Sequence, residues 1–209
     1  MHRLIVLICI AGIELSTAAS SGVAAPRSGD NPDWPCQQRL VPTIGAATFW
    51  STPSIETAGD WKTEPRVVEL VRQISPRSVT AAQGEAAILA FVEALGAGEN
   101  KQLLLTLVFE GLLEETNRAR SEVIARLDEL GHRQREMASI ASRAGEELRA
   151  VPADATGEDA ARRVDLEQRF TFVTRAFEST QRTMRYACEV PVQIEARLGR
   201  YARFLQAHL

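Results

Sequence analysis

Between residues 100 and 150 the chain carries no proline, and its apolar positions change pattern partway along. Leu103 to Leu113 is apolar nearly all round, the composition of a helix enclosed by protein. Beyond it a single stripe takes over: Val123, Leu127, Leu130, Gln134, Met137, Ala141, Ala144, Leu148 and Val151, in alternating four- and three-residue steps. That is the seam of a coiled coil rather than the broader face of a globular helix. Gly111, Gly131 and Gly145 interrupt it, each at about 1 kcal/mol against alanine, which so long an element tolerates. A turn follows at residues 152–157. From about Glu158 a second stripe runs through Leu166, Phe170, Val173, Phe177, Thr180, Met184 and Ala187, then Ile194, Leu198, Tyr201 and Leu205. Two seams joined by a tight loop predict an antiparallel helical hairpin, with Pro191 restarting the second arm near Glu189. Folding the chain about residue 154 or 155 sets Gly131 opposite residue 178, where it makes room for the Phe177 ring, and puts Cys188 level with Ser121. Such an arm reaches on the order of 45 Å at 1.5 Å per residue.

Two shorter helices precede it. Thr63 caps the first, Pro65 suits its opening turn, Val67, Val68, Leu70, Val71 and Ile74 form its apolar face, and Pro76 ends it. The second opens on a capping box, Thr80 with Gln83, and runs to about Leu95 before Gly96 and Gly98 stop it. Its inward set reads Ala82, Ala86, Leu89 and Val92, with Phe91. These helices complete a bundle beside Leu103–Leu113. Residues 25–62 are too rich in proline and glycine for a helix, yet Trp34, Trp50 and Trp61 give them much apolar surface to bury. A strap laid across the helices satisfies both, with a pair of short strands around residues 46–50 as the alternative. The predicted fold is therefore all-α: a small helical bundle over 63–209, extended by a long antiparallel coiled-coil hairpin at about 120–188, with an irregular N-terminal strap.

The first 24 residues change the setting. His2 and Arg3 precede an apolar run from Leu4 to Ile13, and small residues follow, the layout of a signal peptide and too short for a spanning helix. Gly22-Val23-Ala24 places the expected cleavage after Ala24; cleavage after Ala25 would leave Pro26 beside the bond, and Glu14 is the one residue that favours a retained anchor. The predicted compartment is periplasmic or extracellular, with no membrane span left after cleavage. Removal of the segment takes Cys9 with it and leaves Cys36 and Cys188, an even count where thiols oxidise, which predicts a Cys36–Cys188 disulfide clamping the strap.

Composition narrows the chemistry. The formal net charge of −3, from 24 basic and 27 acidic side chains, argues against nucleic acid as a partner. Glu129-Leu-Gly-His132 has the spacing of a carboxylate-bridged metal helix but lacks the second such pair those sites need. The acidic doublets, including Glu158-Asp159 at the turn, read as solvated faces with i,i+4 partners. No G-x-S-x-G elbow, phosphate-cradling glycine loop or C-x-x-C occurs. No catalytic residue, metal or cofactor is expected. Arginines coat both helices of the arm: Arg118, Arg120, Arg126, Arg133, Arg135, Arg143 and Arg149, then Arg162, Arg163, Arg169, Arg175, Arg182 and Arg185. Ion pairs among them and the neighbouring acids contribute under about 1 kcal/mol each. The expected function is an exported, non-enzymatic helical interaction or scaffold module of the cell envelope, holding a protein partner through the arm or self-associating. The alternative is a periplasmic ligand-binding protein whose pocket, between strap and bundle, is lined by Trp34, Trp50 and Trp61.

Overall fold

A computed structural model describes residues 31–51 and 58–209, so the predicted signal segment and part of the strap lie outside the described residues. Five α-helices account for most of the chain: α1 (Pro65–Ile74), α2 (Ala81–Glu93), α3 (Lys101–Ala150), α4 (Gly157–Ala187) and α5 (Glu189–Gln206). There is no strand among the described residues, and where short strands were an alternative the strap makes a single 3₁₀ turn at Ala46–Thr48. The fold is all-α, a bundle drawn out into a two-helix arm.

The bundle is built from α1, α2, α5 and the first part of α3. Leu104 to Phe109 are all buried, as an all-round apolar helix requires, and Leu112 and Leu113 continue the core. Asn100 caps α3 through its side-chain oxygen, which accepts from the Leu103 N–H. Helix α1 buries Val67, Leu70, Val71 and Ile74. Its cap is Glu64, without a side-chain bond, because Thr63 belongs instead to a 3₁₀ turn at Trp61–Thr63 and donates to the Asp60 carbonyl. Helix α2 opens on the Thr80–Gln83 capping box.

The buried face of α2 differs from the expectation. Ala82, Ala86 and Leu89 are exposed, whereas Gly84 and Ile88 are buried, with Phe91 and Val92 packed at the core edge. Gly84 sets this phase. A Cβ there would lie 2.0 Å from the Tyr201 hydroxyl oxygen and 2.4 Å from the nearest ring carbon, so the bare backbone is what lets α5 approach. Gly84→Ala is expected to destabilise the protein despite alanine's better helix propensity: overpacking a fixed ring costs about 1–3 kcal/mol against a gain of at most about 1. Thermal unfolding followed by circular dichroism reads the sign.

Helix α3 runs unbroken for 50 residues, out of the bundle and along the arm, and α4 returns antiparallel to it over 31, about 46 Å at 1.5 Å per residue. Leu127, Ala144, Leu166 and Met184 are buried along the seam. Arg163 closes the hairpin, donating to the Val151 carbonyl at 2.8 Å and the Leu148 carbonyl at 3.5 Å. The register is offset from the one predicted. Cys188 clusters with Leu127 and Met184, and the Gln134 side-chain amide (Nε2) donates to the Phe177 carbonyl at 3.3 Å. Side chains lean toward the N-terminus of their own helix, so in an antiparallel pair both members of a contact lie further along the chain than the Cα level suggests. Gly131 does not house Phe177: a Cβ there would come 1.7 Å from the Asp33 carbonyl oxygen, so this glycine receives the strap, while Gly145 is the one facing an aromatic ring, that of Phe170. The second arm breaks at Cys188, and α5 resumes with Pro191 in its first turn, where a missing N–H costs nothing.

The strap follows the arm and then the bundle. Asn31 donates to Asp128 at 2.6 Å, and Arg135 pairs with Asp33. Cys36 and Cys188 are joined as a disulfide across 152 residues. Asn117 clasps the Ile44 peptide at both ends, 2.9 Å to its N–H and 3.0 Å to its carbonyl. Trp50 stacks on Phe109 at 4.4 Å between centroids, and Trp61 lies where a Gly111 Cβ would come within 2.9 Å.

Around Trp61 the electrostatics split two neighbouring acids. The Lys62 ammonium and the Trp61 indole N–H (2.8 Å) hold the Glu114 carboxyl below its ordinary value. Burial, followed by the Asp60 and Glu114 charges, pushes Glu110 above the ordinary 4.5, and its Oε2 is buried with no hydrogen-bond partner. A raised folded value makes ionised Glu110 a cost to stability. That cost is fully present above the raised value and gone below 4.5. Glu110→Gln is therefore expected to raise the melting temperature at neutral pH, with the gain vanishing in acid.

Candidate interaction surface on the helical arm

The sites expected from sequence fall at three places. Cys36 and Cys188 sit at the neck, packed with Leu127, Met184 and the half-buried Trp34. Trp34 donates its indole N–H to the Gln38 carbonyl at 2.7 Å, and Gln38 in turn donates to the Cys188 carbonyl. Trp50 and Trp61 are 5% and 6% exposed and belong to the bundle core, whereas Trp34 packs on the separate cluster at the neck. A groove of about 580 Å³ between α1 and α3 is lined by Trp61 with Val68, Val71 and Ala119, without Trp34 or Trp50. His132 is exposed and 3.5 Å from Asp33, and no group of three His, Cys, Asp or Glu among the described residues is arranged to hold a metal ion.

Arg120 is the residue most displaced from its expected role. It does not join the outer coat of the arm: at 3% exposure it is buried at the neck. Its Nε donates to Glu195 at 2.8 Å, and its Nη2 and Nη1 donate to the Val41 and Pro42 carbonyls at 2.8 and 3.3 Å. One guanidinium thus fastens strap, α3 and α5 together, using the planar fork that lysine lacks. Arg163 and Arg135 also leave the coat, for the hairpin turn and the strap.

What remains open is one side of α4. A groove of about 530 Å³ between the strap and this helix is lined by Gln181, Met184 and Arg185, beside the disulfide. At 3.6 residues per turn, Gln181 and Arg185 lie to one side of the seam residues Phe177 and Met184, and Phe172, Ala176, Ser179, Thr183 and Tyr186 lie to the other. Phe172 is 75% exposed and Tyr186 76%. Nothing matches this chain: no family model, no curated protein and no solved structure. The surface therefore stands on its own geometry. Two large aromatics exposed to that degree, seven-residue multiples apart on one helix face, serve no core of this chain. Small side chains fill the interval between them. No helix among the described residues is long and apolar enough to cross a membrane, so the aromatics do not belong to a spanning segment.

Sequence reading passes over this face because the seam accounts for every aromatic residue of α4 except these two. The usable signal is the repeat Phe172, Ser179, Tyr186, with Ala176 and Thr183 between, a second heptad track set beside the first.

Proposed function

We propose that the protein is an exported, non-enzymatic interaction module of the cell envelope, periplasmic or secreted, which holds a protein partner on the open side of α4. One observation carries the reading: an arm stabilised at its neck and its turn presents Phe172 and Tyr186 almost fully to solvent, away from the strap. Export is supported by the apolar run from Leu4 to Ile13 and by a disulfide of the kind that persists in oxidising compartments. A rigid support beneath two exposed aromatics is the arrangement that hot-spot residues need, since little ordering entropy is left to lose on binding.

The test is capture from the envelope fraction of cells expressing the chain with its N-terminal segment intact. Phe172→Ser/Tyr186→Ser should keep the melting temperature and lose the captured partner. Undiminished capture, or a chain that stays in the cytoplasm at precursor mass, contradicts the proposal.

A further inference from the structure

We infer that the Phe172–Tyr186 face of α4 receives an acidic amphipathic helix, which packs along α4 on the side turned away from α3. The inference rests on the proposed role of the arm and names the chemistry of its partner. Phe172, Ser179 and Tyr186 repeat at seven residues, which puts the two aromatics about 21 Å apart along the helix. Ala176, Ser179 and Thr183 leave a shallow interval between them, the shape that admits the knobs of a facing helix.

Charge decides the partner. Arg175 and Arg182 border this face on its outer side, and Arg169 borders it toward the seam. All three are exposed, and none has a hydrogen-bond or ion-pair partner among the described residues, whereas Arg118 and Arg133 on α3 are both paired with glutamates. Glu178 is the one acid between residues 168 and 187; it stands one turn from both Arg175 and Arg182, so at most one negative charge faces the two, and it forms no ion pair with either. Flanking charges of a coiled coil select the partner strand, so three unanswered arginines call for glutamate or aspartate opposite.

The same charges disfavour other occupants. Two copies of this face paired antiparallel about Ser179 would match Phe172 with Tyr186, but they would also bring Arg175 of one within a residue of the level of Arg182 of the other. A bilayer surface needs a continuous apolar face to bury, and the residues between the aromatics add almost none.

The experiment titrates the full chain, purified without reductant, against two fluorescein-labelled four-heptad peptides, read by anisotropy. Both have leucine at the seam positions; one carries glutamate at the flanking positions and the other lysine. The glutamate peptide should bind at least about tenfold more tightly than the lysine peptide, and less tightly as salt rises. Phe172→Ser/Tyr186→Ser should abolish binding, and Arg169→Glu/Arg175→Glu/Arg182→Glu should reverse the preference while leaving the melting temperature unchanged. Equal binding of both peptides, binding of neither, or binding indifferent to Phe172 and Tyr186 overturns the inference. So does self-association in sedimentation equilibrium, or pelleting with phosphatidylglycerol vesicles, if Phe172→Ser removes it. Should envelope capture depend on Phe172 and Tyr186 while the glutamate peptide fails to bind, the partner's chemistry is wrong and the role of the arm stands. Should capture ignore those residues, the role itself falls.

Discussion

Replacing Cys36 and Cys188 together by serine is expected to lower unfolding stability by about 2–5 kcal/mol, the usual cost of losing a native disulfide. The chain-entropy relation gives about 5 kcal/mol for the 152-residue separation, the upper end of that range. At this chain length the loss corresponds to a melting temperature lower by roughly 10 °C. The disulfide is the one covalent tie at the neck, where the strap is otherwise held by hydrogen bonds from Arg120 and Gln38. Trp34 is only half-buried there, and its indole bond runs to the neighbouring Gln38 carbonyl rather than to a helix. Reduction should therefore free the strap first, with a change in tryptophan fluorescence, while helical circular dichroism persists at low temperature. Both signals lost in one step would mean that the bundle depends on the clamp more than its buried core implies.

Arg120→Ala is expected to cost about 3 kcal/mol. Removing one partner of a buried pair costs about 3–5 kcal/mol when the other is left buried and unpaired. Glu195 is 36% exposed on its side chain, so water recovers part of that. Arg120→Met keeps most of the packing volume and loses the same bonds, so it should behave much like alanine. The double variant Arg120→Met/Glu195→Gln should recover part of the loss, because removing both charges leaves no uncompensated one. The Val41 and Pro42 residues are exposed, so water can reach their carbonyls once the guanidinium is gone. A single variant within about 1 kcal/mol of the parent, the range of surface ion pairs, would return Arg120 to the surface coat.

How far these features can be read from sequence depends on whether the residue itself carries the signal. The 50-residue α3 is legible because proline is absent and the four–three stripe persists through Gly131 and Gly145. The two glycines that meet neighbours on the arm are legible as weak points but not by partner, since Gly131 meets a strap residue about a hundred positions away. The phase of α2 is hard to read for a related reason. Alanines on both sides give a weak apolar contrast, and the decisive inward residue is Gly84, which has no side chain to count. Arg120 is one arginine among many on a charged helix, and its partners at residues 41, 42 and 195 are joined to it only by the fold. The three tryptophans are legible as apolar surface to be buried. Their division between the bundle core and the neck is not, because it follows from where the strap crosses.

The open side of α4 is tested most directly inside the cell. A photo-reactive phenylalanine analogue placed at Phe172, at Tyr186, or at the exposed Ala90 of α2 samples the arm and the bundle under identical conditions. Irradiation should give one shared adduct from positions 172 and 186 and none from 90. Adducts from position 90 alone, or from none of the three, would place the protein's contacts somewhere other than the arm.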